Sequence, residues 1–178
     1  MKTIKSILSS VAIVGFLSIS QFAFSQNINQ KSTNIVVNGT STMHDWTMDS
    51  KTSTFTGTIS GNAITNVKFS TPVKSLASTK GKMMDNKAHK ALNAEKAPNI
   101  SFTATSMNIG KSNVTGKLTI AGVTKTVTMP VNITKKGNDY VIDATETVKM
   151  SDYGMERPGA LGMKAGDEVT VKISVVAQ

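Results

Sequence analysis

Two histidines and eleven carboxylates hold whatever acid–base or metal chemistry this 178-residue chain can perform, because it has no cysteine. His44-Asp45-Trp46 places an imidazole beside a carboxylate, a pairing that suits general acid–base work or a metal. Neighbouring residues of a strand point to opposite faces, however, so the two cannot grip one ligand without a bulge. The triplet reads instead as a turn or barrel-end packing motif around Trp46; an enzyme using His44 and Asp45 is the rival reading. Asp85 and His89 stand at i and i+4 of a helical stretch, a spacing that binds metal when a third ligand is supplied. None is evident, and the pair reads as a solvated helix pair. Asp152 with Glu156, and Asp167 with Glu168, are loop carboxylates without an obvious partner. No G-x-S-x-G, G-x-G-x-x-G, Walker or H-E-x-x-H motif occurs. No catalytic residue, metal or cofactor is assigned, and the missing cysteines exclude thiolates, disulfides, iron–sulfur sites and a lipobox.

The basic residues say more. Lys80, Lys82, Lys87, Lys90 and Lys96 gather around one stretch against Asp85 and Glu95. A nucleic-acid surface would add arginines and exposed aromatics. The chain has one arginine and no aromatic between Phe69 and Phe102, so no nucleic-acid partner is expected. Over the mouth of an apolar cavity, Lys82, Lys87 and Lys90 would suit the anionic head of a lipid or an anionic membrane surface. The plainer account is a solvated helix face.

The elements around these residues are strands. Thr is abundant, with 23 in the chain, and one parity of each segment is apolar. Phe55, Gly57 and Ile59 alternate with threonines; Val67, Phe69 and Val73 alternate with Lys68, Ser70 and Lys74. The pattern returns at Ile100–Ala104, Leu118–Ile120, Val127–Ile133, Tyr140–Ala144 and Val169–Val175. Turn signals separate the segments at 60–62, 108–111, 121–122, 136–139 and Ala165-Gly166-Asp167. Counting Ile35–Met48 as one strand or two gives eight or nine, which suits an up-and-down barrel or a sandwich. From Lys80 to Asn93 alternation fails, and Met84, Ala88, Ala91 and Leu92 form a helical stripe that Pro98 prevents from continuing. An eight-stranded interior is either filled or holds one small ligand. Small residues such as Gly57 and Ala104 would leave volume; periodicity leaves both outcomes open.

Residues 1–25 read as a cleaved secretory signal: Lys2 and Lys5, an uncharged run from Ile7 to Phe24, and Ala23-Phe24-Ser25 before Gln26. The expected destination is the bacterial periplasm or the exterior, with residues 26–178 as a single domain. Removal of two lysines lowers the formal charge from +9 to +7.

Three stretches together resemble the YceI-like family, and a fourth resembles one branch of it. They are Ala97-Pro98-Asn99-Ile100-Ser101-Phe102; the run from Gly116 to Val127; Asp152-Tyr153-Gly154-Met155 followed by Gly166-Asp167-Glu168-Val169; and the run from Gly39 to Trp46, which is similar to the opening of one branch. The resemblance implies an all-β, eight-stranded antiparallel lipocalin-like barrel around a long apolar channel, with one short helix near residues 80–93. It further implies a periplasmic binding protein, not an enzyme, that holds an amphiphilic isoprenoid-type lipid such as a polyprenyl or quinone-like molecule. The expected channel lining is the apolar parity: Phe55, Ile59, Phe69, Ile100, Phe102, Leu118, Ile120, Val127, Met129, Val131, Ile142, Val171 and Ile173. The alternative is a barrel with a filled core that docks a protein or envelope partner. Oligomeric state stays open, a homodimer included.

Overall fold

The computed structural model describes residues 25–42, 44–160 and 163–178. The expected signal, residues 1–25, lies almost wholly outside them. Eight long strands form the wall: β1 (Gln26–Ser41), β3 (Thr54–Ser60), β4 (Ala63–Pro72), β6 (Asn99–Asn108), β7 (Gly110–Ile120), β8 (Val123–Lys136), β9 (Asp139–Lys149) and β11 (Met163–Ala177). Each pairs antiparallel with the next, and β11 returns to β1, so the chain is the eight-stranded antiparallel barrel expected of it and not a sandwich. Three short strands, β2 (Trp46–Ser50), β5 (Ala77–Ser78) and β10 (Gly159–Ala160), extend one rim. β1 pairs with β11 along one edge; its other edge takes β3 at Gln26–Asn29 and β2 at Ile35–Gly39.

The β7–β8 hairpin illustrates why these residues choose these elements. Ala121 (φ 52°) and Gly122 (φ 87°) both take positive φ, the two-residue turn that matches strand twist. Threonines pair across the outer face, Thr115 with Thr128 at 2.7 Å and Thr119 with Thr124 at 2.8 Å. Val114, Leu118, Ile120, Met129, Val131 and Ile133 are all buried inside.

Three features depart from the sequence reading. β1 starts eight residues before Asn34, and Ile28 is fully buried in a stretch whose other side chains are polar. Ala165-Gly166-Asp167 is no turn: β11 runs through it, and a register shift there, Gly39 opposite Val169 but Ser41 opposite Ala165, marks a bulge. Gly57 leaves no interior volume, because the Ile64 side chain occupies the space its Cβ would fill. A second bulge sits at Asn66 (φ 52°), where the β3–β4 register shifts, and it lets Ile64 and Val67 both point inward despite their odd spacing.

Helix α1 (Lys82–Ala91) lies within the predicted 80–93 stretch. Asn93 at φ 56° ends it in the left-handed conformation that closes many helices. Asp85 and His89 are not a solvated pair. Asp85 Oδ1 accepts from the Ser78 backbone N–H at 2.6 Å, and His89 Nε2 lies 2.8 Å from the Leu76 carbonyl. A carbonyl only accepts, so Nε2 is the protonated nitrogen. Both side chains are used to pin the helix to the segment before it.

Candidate functional site

The inward faces enclose an apolar cavity of about 380 Å³, open at the end where α1 and the short strands lie. This size is within the range that buries most of a small amphiphile. Eleven of the thirteen expected lining residues border it. Phe55, Phe69 and Phe102 come from β3, β4 and β6, with Ile100 above Phe102. Leu118, Ile120, Met129 and Val131 come from the β7–β8 hairpin, and Ile142, Val171 and Ile173 from β9 and β11. Ile59 does not border it: it pairs with Ile64 at the closed end, below the floor. Nor does Val127, whose cross-strand partner is Gly116. The Phe102 ring occupies the space over that glycine and forms the wall there instead.

The helical stripe closes one side of the opening, with Met84, Ala88, Ala91 and Leu92 all on the lining. Of the three lysines expected near a head group, only half-buried Lys87 borders the cavity; Lys82 and Lys90 are exposed and stand off it. Lys164, at the start of β11, joins Lys87 at the rim.

His44-Asp45-Trp46 packs as a rim motif. The Trp46 ring lies flat over Gly39, where no Cβ could stand, and its Nε1–H donates to the Thr40 carbonyl at 3.0 Å. Ser41 Oγ donates to the His44 carbonyl at 2.7 Å and accepts from the His44 backbone N–H at 3.2 Å, which fixes the turn. His44 borders the opening, whereas Asp45 is exposed and does not. Methionines complete the rim: Trp46 and Met155 both pack against a small buried cluster of Met150, Ala165 and Val169, and Met163 is also on the lining. Unbranched, polarizable thioethers adapt to ligands of irregular shape.

Among the described residues one carboxylate stands on the wall. Glu146 follows Tyr140, Ile142 and Ala144 on the inward parity of β9, directly across from Val171. It borders the cavity, and burial pushes its carboxyl above the usual carboxylate range. Parity alone reaches it, since it lies two residues beyond Ala144; its charge hides it from a search for apolar positions. The seam beside it is open. The β8–β9 ladder stops at Val131–Ala144, and Pro130, which lacks an N–H to continue a ladder, comes next. The turn Met150–Tyr153 follows β9 directly and buries Met150 and Tyr153. Lys125 of β8 stands 5.9 Å from the Tyr153 ring and 3.4 Å from Asp152. Burial, chiefly, and the nearby charges of Glu146 and Asp152 hold the Tyr153 hydroxyl above its ordinary value. Asp167, in the β11 bulge, accepts from the Ser151 hydroxyl at 2.6 Å and backbone N–H at 2.9 Å; these bonds lower its pKa and anchor the turn. Among the described residues, no three His, Asp or Glu side chains gather where they could hold a metal ion.

Such a cavity can take an apolar chain out of water, at about 0.8 kcal/mol for each CH₂ buried. Solved structures share the barrel. BcnA from Burkholderia cenocepacia superposes with a TM-score of 0.69 at 22% identity, over 82% of this chain and 96% of that one. A polyisoprenoid-binding domain from Saccharophagus degradans, implicated in plant cell wall breakdown, gives 0.68 at 11% identity, over 85% and 97%. The YceI protein of Campylobacter jejuni gives 0.53 at 17% identity, over 98% and 91%. Among curated sequences, a UPF0312 protein of Pseudomonas putida is 31% identical over 90 residues, 46% of this chain and 47% of its own. The chain thus spans about half the length of the curated relatives it matches. The model of the YceI-like domain matches residues 26–177, from the first residue of β1 to the last of β11, and the chain belongs to the YceI-like family.

Proposed function

We propose that this protein is a non-enzymatic carrier that holds the chain of an amphiphilic, isoprenoid-type lipid in its barrel. The observation that carries the reading is the cavity: about 380 Å³, walled mostly by Ile, Val, Leu, Met and Phe, with its polar lining residues few and one end open. A filled-core interaction barrel would have no such space. The likeness in fold to a polyisoprenoid-binding domain favours an isoprenoid over another apolar chain. Branched isoprene units suit a wall whose methionines and phenylalanines can repack around side methyls.

The protein works, on this reading, after export through its N-terminal segment, in the periplasm or outside the cell. Lys82 and Lys90, exposed on α1 and turned from the cavity, would meet an anionic membrane surface during uptake or delivery, while Lys87 borders the rim. Each basic residue near such a surface adds about 1 kcal/mol of attraction. Native mass spectrometry of protein purified without detergent from its own host tests the carrier reading. A co-purifying species with a mass of repeating C₅H₈ units is expected. Protein that is empty, and that also ignores both an apolar fluorescent probe and added polyprenol, would refute it.

A further inference from the structure

Among the described residues Glu146 is the one carboxylate that borders the cavity, and it stands in an apolar stretch of wall. The inward side chains before and after it on β9 are Ala144 and Val148, and Val171 faces it across the ladder. No hydrogen bond or ion pair reaches its carboxyl among the described residues. The carboxyl is only partly buried, so with no protein partner its oxygens are left to water or to a ligand in the cavity. The groups around it do not relieve this: Tyr153 and Asp152 lie behind the wall, and the Lys125 ammonium is engaged by Asp152. The two lysines of the lining stand on α1 and at the first turn of β11, at the rim. Glu146 is lower, one inward position below Val148.

We propose that Glu146 is the head-group anchor of the cavity, selecting amphiphiles whose polar end donates a hydrogen bond or carries positive charge, such as an alcohol or amine, over those ending in phosphate or carboxylate. The inference rests on the carrier reading above and names the ligand class within it. A hydroxyl or ammonium supplies the partner that Glu146 lacks, whereas an anionic head would sit against a carboxylate in an apolar wall. Hydrogen bonds involving an ion in such surroundings are among the stronger ones, so discrimination of about tenfold or more is expected.

The test uses delipidated full-length protein at pH 8 and displacement of N-phenyl-1-naphthylamine, an apolar fluorescent probe, by dodecylamine, dodecanol and dodecyl phosphate. In the unaltered protein, dodecylamine and dodecanol should displace the probe at concentrations at least about tenfold below dodecyl phosphate. Glu146→Gln should shrink the amine-to-phosphate ratio to about threefold or less, and Glu146→Lys should invert it, with probe affinity within about twofold throughout. Equal displacement by all three in the unaltered protein, a preference for the phosphate, or an unchanged ratio in Glu146→Gln would overturn the anchor while leaving the carrier reading intact. Failure of every form to bind the probe would overturn the cavity reading, and the anchor with it.

Discussion

The two ends of the barrel are built from the same residue types on the same strands, yet one end is core and the other is wall. At the closed end Ile28, Ile64, Val114, Ile133, Tyr140 and Ala177 fit together until almost none of their surface is exposed, and none of them borders the cavity. At the open end Val37, Ile100, Ala144, Val148, Val171 and Ile173 point inward by the same parity but remain half-exposed, because they face space. Alternation therefore fixes direction and not what a side chain meets. Occupancy is decided by devices outside the alternation. The Asn66 bulge turns both Ile64 and Val67 inward at one end; the β8–β9 seam and the helix hold the other open.

Sharpening this contrast calls for matched truncations. Ile64→Ala or Ile133→Ala should cost about 3 kcal/mol, the transfer and cavity cost of a packed core site. Ile173→Ala at the open end should cost about 1 kcal/mol, since its side chain already borders a void. Urea midpoints with unchanged slopes would show the difference. Equal losses at both ends would mean the interior is uniformly packed. Filling the space tests the same contrast through binding: Ala144→Trp should weaken probe binding about a hundredfold, as three or four lost CH₂ contacts would. Its thermal midpoint should barely move; a large fall would mean the substitution had collided with packed side chains. His89→Ala removes the bond to the Leu76 carbonyl and should destabilise by about 1 kcal/mol. Hydrogen exchange should place the loss in α1 and β5, leaving the closed end protected.

The smallest effect concerns pH. Burial raises the Glu146 pKa, so the folded state holds that proton more tightly than the unfolded chain does. The penalty is absent in acid, where both states are protonated. It grows as pH rises past the ordinary glutamate value and is complete above the folded one. Glu146→Gln should therefore raise the thermal midpoint by a few degrees at most at pH 7–8 and leave it unchanged near pH 3.5. A gain that persists in acid would mean the carboxylate charge is not its source.

How much of this was legible in the residues follows the same division. Alternation reveals β7 and β8 because both faces declare themselves, Leu118 and Ile120 against Lys117 and Thr119. The helix is legible because Met84, Ala88, Ala91 and Leu92 change the period. The start of β1 is not, since Ile28 is the one apolar residue between Gln26 and Asn34, and a strand paired on both edges gains its stability from backbone bonds to distant partners. Ala165-Gly166-Asp167 carries turn-forming residues, but Gly166 is needed for close approach to Thr40 within the ladder. The lining was legible to the extent that parity holds; Ile59 and Val127 keep the parity and miss the cavity, one by depth and one by the lie of the Phe102 ring. Glu146 obeys the parity and violates the polarity, and an apolar search passes it over.

The pairing of the first strand with the last also governs when the fold can form. Thr33 and Ser174 meet although they stand 141 positions apart in the chain, and β1 has no ladder along that edge until β11 has been made. Contacts so distant in sequence are slow to form, because the entropy of closing the loop comes before the reward. Hairpins such as β7–β8 can assemble early, but the ring stays open while the final strand is still on the ribosome. A barrel whose closing seam depends on that strand completes its ring after synthesis and not during it.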